Sequence, residues 1–99
     1  MRILRVGQNL ETVETLETFD ARELERAIRD AIIAEQGAIK QYEVLVDSTD
    51  NSQAKEVLQS IADEEKVHVG ELLELLKRFN EKEEEFLADG ADEVEPESK

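Results

Sequence analysis

The chain has 99 residues, a net charge of −14, no cysteine and a single proline. That length allows one small domain with a limited core, and its wealth of Glu, Leu, Ala and Lys points to an all-α chain. The acidity argues against nucleic-acid and anionic-membrane binding, while the missing cysteines exclude disulfides, thiolate catalysis and zinc–thiolate sites.

Any metal must therefore sit on oxygen and imidazole nitrogen, which suits iron, manganese, magnesium or zinc. No apolar run approaches the ~18 residues of a membrane span. Residues 1–7 lack the apolar core of a signal peptide. The expectation is a cytoplasmic protein.

Residues 1–19 are weakly patterned. Ile3, Leu4 and Val6 suit a short extended arm, and Val13, Leu16 and Phe19 a weak apolar face, but a flexible leader fits as well. The run Asp20-Ala21-Arg22-Glu23 starts a helix, with Asp20 as cap and Glu23 reaching back in a capping box. This helix is predicted to reach about Val46. Its inward seam is Ile28, Ile32, Glu35, Ile39, Tyr42 and Val46, at alternating spacings of 4 and 3. One carboxylate, Glu35, interrupts that stripe.

A polar cluster over residues 47–52 predicts a tight turn, so the next helix folds back antiparallel. It is predicted from about Ser52 to Phe79, with Asn80 as its stop and Lys77 and Arg78 near the negative end of its dipole. Its seam is Leu58, Ile61, Glu65, His68, Leu72 and Leu75, where two polar residues again interrupt an apolar stripe. Residues 81–87 read as a short third helix, with Phe86 and Leu87 available to dock. Residues 89–99 read as a disordered acidic tail. From residue 81 onward the chain carries nine acidic and two basic residues, so half of the net charge lies there. The hairpin domain proper is placed at residues 20–88.

Glu65 and His68 form a Glu-x-x-His pair whose spacing places both side chains on one helix face, one turn apart. Burying an unpaired ion costs several kcal/mol, and no Lys or Arg shares the seam, although Arg29, Lys40 and Lys66 flank it. A divalent cation offsets the charge more fully than one ammonium group. One hairpin supplies only two carboxylates and one imidazole, and only two helices whose stripes cannot cover each other. A two-fold dimer answers both shortages: it makes a four-helix bundle with four Glu and two His, the ligand set of ferritin-like di-iron proteins.

The run from Ala31 to Glu43, with Glu35 followed seven residues later by Tyr42, and then Glu65-x-x-His68 downstream, resembles the ferritin-like superfamily and its rubrerythrins. A single copy of this half-pattern in a short chain is similar to encapsulated ferritins, over about residues 22–80. That resemblance implies two-helix subunits that dimerise to complete a ferroxidase centre and assemble into ring-like decamers. It also implies packaging inside an encapsulin shell within the cytoplasm. On it, Glu35 is a terminal metal ligand, Glu65 a bridge between two irons, His68 a ligand through a ring nitrogen, and Tyr42 a hydrogen-bonding neighbour. Two features depart from the family pattern. The acidic residues that often flank the first ligand are here Ala34 and Gly37, and the tail shows no apolar encapsulation peptide.

The expected activity is oxidation of Fe(II) to Fe(III), two ions per dimer, with dioxygen as oxidant. The alternatives are a di-iron or di-manganese peroxidase of the rubrerythrin group, which takes peroxide, and a helical-hairpin oligomerisation module whose polar seam residues only fix register.

Overall fold

The computed structural model describes residues 18–95 and shows three helices: α1 (Ala21–Asp47), α2 (Ser52–Phe79) and α3 (Glu81–Val94). Among the described residues there is no strand, and no helix is long and apolar enough to cross a membrane. The arm residues 1–17 lie outside the described part; of the weak apolar face only Phe19 is described, and it is half-buried.

Local chemistry explains each boundary. Asp20 caps α1 in a reciprocal box: Glu23 N–H donates to Asp20 Oδ1 at 2.8 Å, and Asp20 N–H donates to Glu23 Oε1 at 3.1 Å. The last turn of α1 has no basic residue of its own. Lys55, from α2, donates instead to the Val46 carbonyl at 2.7 Å, satisfying a carbonyl the helix leaves open. Asn51 caps α2 by accepting from Ala54 N–H.

Asn80 serves two helices. Its backbone N–H closes α2 on the Leu76 carbonyl, while its side-chain oxygen accepts from Lys82 N–H at the start of α3. Its amide also donates to Glu25 Oε1 in α1 at 3.2 Å. Nearby, Arg29 forms a 2.7 Å ion pair with Glu83, which is almost wholly buried. The first turn of α3 is thus tied to both long helices.

α1 and α2 form the expected antiparallel hairpin, but the seam on α2 differs from the sequence expectation. The fully packed line is Ala62, Val69 and Leu76, at heptad spacing, against Ile28 and its neighbours on α1. Glu65, His68, Leu72 and Leu75 lie one strip to the side, and Leu75 is 42% exposed. The reason is that α2 carries a wide apolar surface. One strip is consumed by α1, and the adjoining strip is left open. A second correction concerns the C-terminus: α3 does not stop at 87 but runs through Gly90 to Val94, so residues 89–94 are helical rather than a disordered tail. The missed helical signal is the spacing of Phe86, Leu87, Ala91 and Val94, which shares one face across the glycine.

The molecule measures 48 × 43 × 14 Å. It is one helix layer thick, so every helix has a side with no cover from the other described residues.

Candidate metal centre

Near the middle of the hairpin, α1 presents Glu35 and α2 presents Glu65 and His68 on the same open flank. His68 Nδ1 lies 3.0 Å from Glu65 Oε1 and 3.4 Å from Glu35 Oε2. One donor atom from each of the three falls within 4.8 Å of the others. The sequence-predicted ligands are therefore brought together. The two carboxylates are mostly covered, with side chains 26% and 20% exposed, whereas the imidazole is 47% exposed. The cluster opens into a groove of about 590 Å³ lined by Ala31, Leu72, Leu75 and Glu71 beside Glu35 and His68.

Electrostatics fits a cation here. The hydrogen bond and charge of Glu65 push the Glu35 carboxyl above its ordinary range, helped by partial desolvation. Glu65 moves the other way, held down by its hydrogen bonds to Glu35 and His68. His68 is raised, first by its hydrogen bond to Glu65 and then by the charges of Glu35, Glu65 and Glu71. The two carboxyls are thus pushed apart, with Glu65 the more acidic of the pair.

Lys and Arg do not relieve it. Lys66 turns to the opposite flank and pairs with Glu43 at 2.8 Å, and Arg29 is taken by Glu83. Two carboxylates and an imidazole with no ammonium or guanidinium partner form a mixed oxygen/nitrogen donor set of the kind iron or manganese accepts. Three donors leave a six-coordinate ion half-dressed, and the groove faces outward.

Tyr42 is half-buried on α1, two turns beyond Glu35, and makes no hydrogen bond among the described residues. Glu71, outside the α2 seam and exposed, also lines the groove and its charge acts on His68. Its signal was available: it lies three residues beyond His68, the same step that joins His68 to Glu65.

A profile of the rubrerythrin family matches residues 26–99. Among curated proteins, the chain is 45% identical over 58 residues to the encapsulin nanocompartment cargo protein EncC of Myxococcus xanthus, covering 59% of this chain and 45% of that protein. It is 36% identical over 76 residues to a ferritin-like–encapsulin shell fusion protein of Pyrococcus furiosus, covering 77% of this chain and 22% of the relative. The chain thus spans less than half the length of these curated relatives. Among solved structures it is similar to the encapsulated ferritin domain from Pyrococcus furiosus, with a TM-score of 0.81, 31% identity, and coverage of 92% of this chain and 93% of that one. A family profile over most of the chain and a matching fold over nearly all of it place the protein in the rubrerythrin family, as a ferritin-like chain of the encapsulated-ferritin type.

Proposed function

We propose that this chain is a ferroxidase that oxidises Fe(II) to Fe(III) at a di-iron centre completed by two copies. The observation that carries this reading is the convergence of Glu35, Glu65 and His68 on an open flank with no cationic side chain to neutralise them. Two Fe(II) ions each give up one electron, and one dioxygen takes both together with two protons, leaving as hydrogen peroxide. In the second copy the same three groups supply the missing donors, giving four carboxylates and two imidazoles around two ions. Glu65, held anionic, is the residue suited to bridge. Proton affinity is raised at Glu35 and His68, so metal binding there competes with protons and weakens as pH falls. Tyr42, without a hydrogen bond among the described residues, is by resemblance the residue that would donate one to a ligand once a second copy completes the centre.

The flank around the cluster supports the shared-site reading. Leu45, Val57, Leu75 and Phe79 are each about half exposed along it, an apolar border that a second hairpin would cover. By likeness to the named relatives, the oxidised iron is delivered inside an encapsulin shell in the cytoplasm, from a ring-like assembly such as a decamer.

The test adds Fe(II) aerobically to chelator-free protein and follows ferric absorbance together with native mass. Wild type oxidises iron and gains mass as a metal-bound dimer or multiple of it. Glu65→Ala and His68→Ala lose at least ~100-fold in rate, since even residues behind the ligands are commonly worth ~10–100-fold. A chain that stays monomeric with and without metal sinks the shared centre. Faster turnover with peroxide than with dioxygen moves the protein to the peroxidase group.

A further inference from the structure

Where the start of α1 meets the joint between α2 and α3, three arginines face one concavity. Arg22, Arg26 and Arg29 stand at steps of four and three on α1, which places them on one face of the helix. With Glu25 and Asn80 they line a pocket of about 400 Å³. Like charges at these spacings repel one another. The convergence also runs against composition, since the chain has 26 acidic residues and only 12 basic ones.

The carboxylates nearby are engaged elsewhere. Glu23 closes the cap with Asp20. Glu83 takes Arg29 through Nη2 at 2.7 Å and Nη1 at 3.4 Å. Glu25 accepts from the Asn80 amide through Oε1 at 3.2 Å. Arg22 and Arg26 are exposed and have no ionic partner among the described residues. Of the five guanidinium N–H donors of Arg29, the two bonds to Glu83 leave three.

The lining holds no aliphatic or aromatic residue, so it offers donors to an anionic head and nothing to hold an organic body. Guanidinium forks suit a tetrahedral oxyanion, whose several oxygens are shared among them. Glu25 narrows the choice. A carboxylate in the pocket repels sulfate, which has no proton to give. Phosphate near neutral pH always carries at least one O–H, and Glu25 can accept it.

We propose that this pocket binds one inorganic phosphate per chain. Arg22 and Arg26 donate to its oxygens, Arg29 contributes its spare N–H groups, and Glu25 accepts the phosphate O–H. Arg26 stands ~13 Å along α1 from Glu35, so the site is separate from the metal centre and stands whether or not that centre binds iron.

The test titrates full-length, chelator-treated protein with phosphate, sulfate or glycerol phosphate at constant ionic strength, followed by calorimetry and phosphorus NMR. Phosphate binding is expected to saturate, with sulfate at least ~10-fold weaker. Arg22→Gln with Arg26→Gln weakens phosphate at least ~10-fold without loss of helicity, whereas Glu65→Ala leaves it as in wild type. Glu25→Gln, whose amide oxygen still accepts from Asn80, brings sulfate within ~3-fold of phosphate. No saturable binding, or binding that survives the double arginine change, overturns the proposal. Equal affinity for sulfate and phosphate in wild type does the same, as does loss of binding in Glu65→Ala, which would put the anion at the metal flank. Tighter binding of glycerol phosphate than of free phosphate overturns the choice of ligand.

Discussion

The proton inventory of Glu35, Glu65 and His68 sets how the site responds to pH. His68 is raised, so its stabilising contribution is complete below the ordinary imidazole range and is lost as pH rises through its folded value. Glu35 is also raised, and its contribution fades in the same direction as it ionises beside Glu65. Glu65 is lowered; its contribution is present above the ordinary carboxylate range and disappears as pH falls through its depressed value. Metal-free protein should therefore lose thermal stability from mildly acidic to alkaline pH, and metal should abolish that decline. A metal-free melting midpoint that climbs steadily across this range contradicts the assignment. Glu35→Gln sharpens the same point: it removes one of two crowded carboxylates and should raise the metal-free midpoint while abolishing metal binding in a titration. Tyr42→Phe should slow iron oxidation by ~10-fold with little change in the midpoint.

Among the helices, capping and packing carry separable energies. Asp20→Ala removes a reciprocal cap and should cost about 1 kcal/mol in denaturant unfolding. Leu76→Ala empties a wholly buried position and should cost about 3 kcal/mol. Gly37→Ala has room among the described residues and should stabilise the hairpin by about 0.8–1 kcal/mol in the same unfolding experiment. These elements were legible to different degrees in the sequence. The cap at Asp20 and the turn before Ser52 announce themselves through local chemistry, and Glu65-x-x-His68 through a fixed step of three. The line Ala62, Val69 and Leu76 was not legible, because a wide apolar surface lets two neighbouring strips fit the same periodicity. The length of α3 was hidden by Gly90 and by acidity that reads as solvated tail.

For the whole molecule, a layer 14 Å thick has little interior. Ile28, Ala62, Val69 and Leu76 are the buried apolar residues among those described, a small core for a chain of this length. Stability is then tied to what binds the folded form. Metal at ~1,000 times its dissociation constant adds about 4 kcal/mol, so the melting midpoint should rise with both metal and protein concentration. Asn80 has a mechanical consequence in such a molecule. It is the joint between α2 and α3, fixed by bonds to Glu25, Leu76 and Lys82. α3 is a lever ~21 Å long; a rotation of ~10° at its root swings the tip by ~4 Å, close to the rise of three residues along a neighbouring helix. One asparagine therefore acts as the goniometer that fixes the angle at which α3 leaves the hairpin, and with it where the acidic, apolar tip of the molecule is presented.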